Sequence, residues 1–281
     1  MKIQNKRLIG QDGRMVPFVK SPNFGRKLTG GKPRFLIIHY TAGGSASGTI
    51  NYFQKRSAQV SAHFVIGRDG AITQMVPLDT VGWHAGRSRW KGVKGVNSHS
   101  IGIELANYGK LKKTAAGTWV SDTGSPVPDQ RVILDEHKNR PGRIEGWEAY
   151  TEAQFTATVG AAQAIVQEYG LKEWDVVGHD DISPGRKIDP GPAFEMDAFR
   201  AMVFGRSEDE WDDVLYKVRS TTGLNLRKGP STADDVIINL GDGTVVHVID
   251  QSGKWWLVAV VKNGADDVTG YVHSHWLEPQ S

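Results

Sequence analysis

Residues 178–191 read Gly-His-Asp-Asp-Ile-Ser-Pro-Gly-Arg-Lys-Ile-Asp-Pro-Gly. An imidazole (His179), an ammonium (Lys187) and a carboxylate (Asp189) therefore share one loop, stiffened by Pro184 and Pro190. Proline limits the entropy lost when such a loop is ordered. The set offers two metal ligands and one electrophile. A zinc hydrolase needs three protein ligands and an open position for water. His39, which ends the apolar run Phe35-Leu36-Ile37-Ile38, is the candidate for the third ligand. A carboxylate base is available in Glu104. Each residue also has a plainer reading. A histidine at a strand end is often a hydrogen-bonded surface residue, Asp189 before a proline can open a turn, and Lys187 and Glu104 can be solvated charges.

The elements that must carry these residues are readable. Phe35–Ile38 and Asp175–Gly178 are short apolar runs of the kind found in strands buried on both faces, and each delivers a histidine. Adjacent strand ends in a sheet lie about 5 Å apart. Ser100–Leu105 alternates, with Ile101, Ile103 and Leu105 on one face and Ser100, Gly102 and Glu104 on the other. Val60–Ile66 and Ala71–Val76 flank Gly67-Arg68-Asp69-Gly70, a hairpin signal. Thr151-Glu152-Ala153-Gln154 has the form of a capping box, opening a helix to about Tyr169 with Gly170 as its stop. A last helix is expected over Phe194–Phe204. Ala42–Gly48 reads as a surface loop, and Lys110–Arg131 as a long irregular insertion. Strands alternating with helices predict an α/β domain with a mixed central sheet flanked by helices.

Composition bounds the rest. The 281 residues are 39% hydrophobic and 23% charged, as in ordinary globular proteins. No apolar run is long enough for a membrane span, and residues 1–10 lack the apolar core of a secretory signal. Cysteine is absent, so a metal site must be built from His and carboxylates. The net charge of +3 hides an asymmetry. Residues 207–281 carry 6 Lys/Arg against 12 Asp/Glu, a net −6, and the remaining 28 and 19 leave residues 1–206 at +9. A basic first part suits an anionic partner such as a cell envelope. No basic–aromatic pattern for nucleic acid stands out. The shift falls at an acidic stretch, 207–213, expected to be a linker between a domain at 1–206 and one at 214–281. In the latter, short β-rich runs separated by Gly/Asp turns predict a small all-β barrel.

Five segments resemble the type 2 N-acetylmuramoyl-L-alanine amidases, the superfamily shared with peptidoglycan recognition proteins. They are FLIIHYTAG (35–43), SAHFVIGRDG (61–70), GWHAG (82–86), NSHSIGIEL (97–105) and GHDDISPGRKIDPG (178–191), in family order. Residue by residue, the resemblance implies that His39, His179 and Asp189 bind Zn²⁺. It places Glu104 at the catalytic carboxylate and Lys187 at the carbonyl-polarising lysine. Some relatives carry a tyrosine before the histidine of the second segment; Ala62 stands there in this chain, which leaves proton transfer to Glu104. His84, Asn97 and His63 are expected near the groove as substrate contacts. The segment Thr222–Ser231 with Trp255–Val258 and Gly270–Val272 resembles a bacterial SH3 domain, whose members commonly target enzymes to cell walls.

The resemblance implies a zinc-dependent peptidoglycan amidase that cuts between the lactyl group of N-acetylmuramic acid and L-alanine. The setting it suggests is lytic, endolysin-like or that of an exported effector, acting on the wall after release or export. The alternatives are a non-catalytic peptidoglycan-binding protein and a muropeptide-recycling amidase. The expected partner is peptidoglycan or a muropeptide, with no nucleic acid and no membrane insertion.

Overall fold

The structure is a computed structural model that describes residues 1–140, 142–205, 215–251, 253–262 and 265–280. The chain forms two compact units, Met1–Phe204 and Gly205–Ser281. The expected acidic linker at 207–213 lies outside the described residues.

The first unit is built on five strands: β1 (Phe35–Tyr40), β2 (Phe64–Ile66), β3 (Ile72–Gln74), β4 (Ser100–Leu105) and β5 (Val176–Gly178). Their order across the sheet is β5-β1-β4-β2-β3. β1 pairs in parallel with β4 and β5, β4 pairs in parallel with β2, and the β2–β3 hairpin is antiparallel. The sheet is mixed, as the Asp-Gly turn predicted. Alternation sorts the side chains by face. Leu36, Ile38, Ile101, Ile103 and Leu105 join one core with helices α2 (Glu152–Tyr169) and α4 (Met196–Phe204). Phe35, Ile37 and Val177 join Ala85, Val96 and Ile182 on the opposite face. Ala157, Ala161, Ala162 and Ile165 recur at helical spacing along α2, and their small side chains let the helix lie close to the sheet.

Three local expectations are corrected. The Thr151 hydroxyl caps α2 by accepting from Gln154 N–H, and Gly170 ends the helix at φ +66°. Only this half of the capping box forms, because the buried Gln154 amide reaches across to the carbonyls of Ala106 and Ile66. Ala46–Gly48 is not loop but the first turn of α1 (Ala46–Phe53), since the Ser45 hydroxyl accepts from Gly48 N–H. Residues 110–131 are not irregular. They supply Lys110–Lys113, Trp119–Val120 and Pro126–Val127 to an antiparallel sheet completed by Val132–Glu136 and Ile144–Glu148. Two-residue strands carry too few positions to show alternation. The sheet is tied to the domain by Glu148, fully buried, which accepts from Tyr108 N–H at 2.6 Å and pairs with Arg68 at 3.1 Å and with Arg131.

Among the described residues of the second unit, seven strands form one antiparallel sheet. Alternation in Trp255–Lys262 puts Trp256 and Val258 into the core with Tyr216, Val246 and Val272, and leaves Trp255 half-exposed. Trp276 is exposed at 43%.

Candidate metal centre and active site

Strands β1 and β5 are neighbours, with Gly178 opposite Ile38, so the residues that follow these positions emerge side by side. His39 shares the face of Phe35 and Ile37. His179 opens the one-turn helix α3 (His179–Ile182) directly after β5. The loop beyond α3 returns Asp189 to both. His39 Nδ1 and His179 Nδ1 are 2.9 Å apart, and Asp189 Oδ2 lies 3.0 Å from the first and 2.9 Å from the second. All three residues are buried.

The protonation of this triangle indicates what it can hold. His179 Nε2 is 3.0 Å from the Ala85 carbonyl oxygen, which can only accept. The ring proton is therefore on Nε2, and Nδ1 presents a lone pair. A lone pair and a carboxylate oxygen 2.9 Å apart in a buried site repel unless a cation lies between them. Donors around a tetrahedral ion with bonds of about 2.0–2.1 Å lie about 3.3 Å apart. A small divalent cation fits with a slight opening of the triangle.

Glu104 is the register neighbour of His39 on β4. It is 8% exposed, and its Oε2 has no hydrogen-bond partner. Burial, reinforced by Asp189 and opposed by Lys187, pushes its pKa well above the ordinary carboxylate range. A carboxyl so raised is a stronger proton acceptor, once ionised, than an ordinary carboxylate. Burial and the neighbouring His179 pull His39 down to about 4 against the opposing Asp189, so the imidazole is neutral, as a ligand must be. Glu104, Lys187 and Asp189 line a cavity of about 650 Å³ whose other walls include Tyr40, Gly44 and Tyr52.

Of the three expected substrate contacts, the structure brings His84 to the cavity wall and places Asn97 and His63 behind it. His84 lines the cavity but is 6% exposed, and both ring nitrogens are engaged, Nδ1 with His39 Nε2 at 3.0 Å and Nε2 with Ser100 Oγ at 3.3 Å. Asn97 is not in the cavity wall; its Oδ1 accepts from the backbone N–H groups of His84 and Ala85 at 3.1 and 2.7 Å. His63 is fully buried and also outside the wall. It donates from Nε2 to Thr80 O and accepts at Nδ1 from Gly102 N–H, while burial lowers its pKa to about 4.

Sequence reasoning passed over Arg186. Its guanidinium donates to the carbonyls of Ala85 and Arg87 and to Ser183 Oγ, binding the loop that carries Asp189 to residues 85–87. The only signal was its place between Gly185 and Lys187.

Compared with known families, residues 29–192, over half of the chain, match the N-acetylmuramoyl-L-alanine amidases. The chain belongs to that family. Residues 222–278 match the bacterial SH3 domain. The 1,6-anhydro-N-acetylmuramyl-L-alanine amidase AmpD of Salmonella typhimurium (strain LT2) is 30% identical over 216 residues, covering 71% of this chain and 94% of the relative. N-acetylmuramoyl-L-alanine amidase AmiD of Escherichia coli (strain K12) is 32% identical over 168 residues, covering 57% of this chain and 50% of the relative. Among solved structures, AmiD from E. coli in complex with anhydro-N-acetylmuramic acid-L-Ala-D-gamma-Glu-L-Lys is 25% identical. That match covers 81% of this chain and 76% of the other, with a TM-score of 0.48. In this amidase, His39, Glu104, His179, Lys187 and Asp189 all fall within the matched range.

Proposed function

We propose that the protein is a zinc-dependent amidase of peptidoglycan that hydrolyses the amide between the lactyl group of N-acetylmuramic acid and L-alanine. The observation that carries this reading is the convergence of His39, His179 and Asp189 on one point, beside a buried carboxylate with an unpartnered oxygen and within a cavity large enough for a muropeptide. Bound zinc would supply a Lewis acid and lower the pKa of a water at the open position. The chain's own residues do the rest. Glu104 accepts the proton of the attacking water and returns it to the leaving amine of L-alanine. Lys187, half-buried in the same wall, offers its ammonium to the oxygen that becomes negative as the carbonyl carbon turns tetrahedral.

The barrel supports action on intact wall. Exposed Trp276 and half-exposed Trp255 offer rings for stacking on saccharide or peptide, and the nearly balanced charge of residues 214–281 makes charge a minor part of that contact. We assign the enzyme to the cell wall in a lytic role. The names of its relatives favour a second reading, the removal of peptides from anhydro-muropeptides during recycling. One experiment tests both. Sacculi and soluble anhydro-muropeptide are digested with and without a chelator, and the new termini are identified by mass spectrometry. New L-alanine amino termini in sacculi, lost with chelator and regained with zinc, support the lytic reading. Cleavage of soluble anhydro-muropeptide alone supports recycling, and cleavage of neither refutes the amidase assignment.

A further inference from the structure

We propose that His84, backed by Ser100, is a positioning residue that sets the tautomer of His39 and so aims its Nδ1 lone pair at the metal. The inference rests on the metal reading above, and three hydrogen bonds in series carry it. Ser100 Oγ lies 2.8 Å from the carbonyl of Val96, which can only accept, so the single hydroxyl proton is donated there. Toward His84, Ser100 can then only accept, and His84 Nε2 at 3.3 Å must carry a proton. A neutral imidazole has one N–H, which leaves His84 Nδ1 as an acceptor. Its neighbour at 3.0 Å is His39 Nε2, which therefore donates. His39 Nδ1 is left bare, and it is this atom that faces His179 Nδ1 and Asp189 Oδ2.

The surroundings are shaped for this relay. The His84 ring lies over Gly102 on β4, where a Cβ would stand 2.5 Å from His84 Cγ. Asn97 pins the backbone at both His84 and Ala85. One short segment thereby orients both imidazoles, His39 through the ring of residue 84 and His179 through the carbonyl of residue 85. Partners of this kind typically change metal affinity by about 10–100-fold when removed.

The test uses the full chain. In zinc-loaded, ¹⁵N-labelled protein, two-bond proton–nitrogen correlations should place the ring protons of His39 and His84 on Nε2. In competition with a chromophoric chelator, His84→Leu should bind zinc about 10–100-fold more weakly, and Ser100→Ala should weaken it less. His84→Asn, which keeps an acceptor where Nδ1 stood, should recover most of the affinity. A proton on His39 Nδ1 in the wild type overturns the proposal, as does a folded His84→Leu that holds zinc as tightly as wild type. If His84→Leu does not fold, the wild-type tautomers and Ser100→Ala decide. A wild-type chain that binds no zinc at all would refute the metal reading itself, a result distinct from either.

Discussion

Replacing Glu104 with Gln should move activity and stability in opposite directions. The side chain is 8% exposed, one of its oxygens has no partner, and burial together with Asp189 raises its pKa. In metal-free protein the folded state therefore holds the Glu104 proton to higher pH than the unfolded chain does. The sign follows from linkage. Between the unfolded value of about 4.3 and the raised folded value, the native state binds more protons, so stability falls as pH rises through that window. One proton limits the slope to about 1.4 kcal/mol per pH unit. The amide that replaces the carboxyl cannot ionise, so the variant loses this slope. Metal-free E104Q should match wild type near pH 4 and be the more stable protein by pH 8, measured by urea unfolding of the amidase unit at several pH values. Activity should fall by about 10²–10⁴, the usual worth of a positioned proton carrier. At the upper end this is about 5.5 kcal/mol of barrier. Release of L-alanine termini from purified muropeptide, with zinc content measured alongside, gives the second readout. A variant that keeps most of its activity with zinc bound removes Glu104 from the chemistry. A metal-free variant less stable than wild type at pH 8 refutes the electrostatic account.

Further outcomes follow from the same contacts. His179→Ala should lose bound zinc and hydrolysis together, and full metal occupancy in this variant would contradict the ligand set. Saturating zinc at about 100 times its Kd should stabilise the amidase unit by about 2.7 kcal/mol. For a unit of this size that is a rise in Tm of about 5–10 °C, reversed by chelation and absent in His179→Ala, as calorimetry would show. Glu148→Ala leaves Arg68 and Arg131 without their shared carboxylate and should cost about 3 kcal/mol in urea unfolding. Trp276→Ala should reduce sedimentation with sacculi while leaving turnover of soluble muropeptide unchanged.

The site was legible where strand grammar carried it. His39 and His179 each follow a short apolar run, and the parallel pairing of β1 with β5 converts that shared pattern into proximity. The two faces of β4 were readable for the same reason. What stayed hidden depends on contacts between distant segments. His84, Asn97 and His63 lie in recognisable segments, but only the packed structure shows that their polar atoms are directed at protein groups. The antiparallel sheet at 110–148 escaped because two of its strands have only two residues each, too few to show alternation, and it is held by turns and by buried Glu148. Gln154 had the right identity for a reciprocal cap and was drawn instead to carbonyls at the sheet ends.

Strand β4 presents Ser100, Gly102 and Glu104 in succession on one side, and Ile101, Ile103 and Leu105 on the other. A slip of a single residue against β1 would exchange the two sets, burying a carboxylate among aliphatic groups and turning isoleucines toward His39 and the cavity. Hydrolytic competence and a correctly assembled interior are thus gained or lost in the same event. A partly misfolded copy of this enzyme should be inert rather than a weakened cutter.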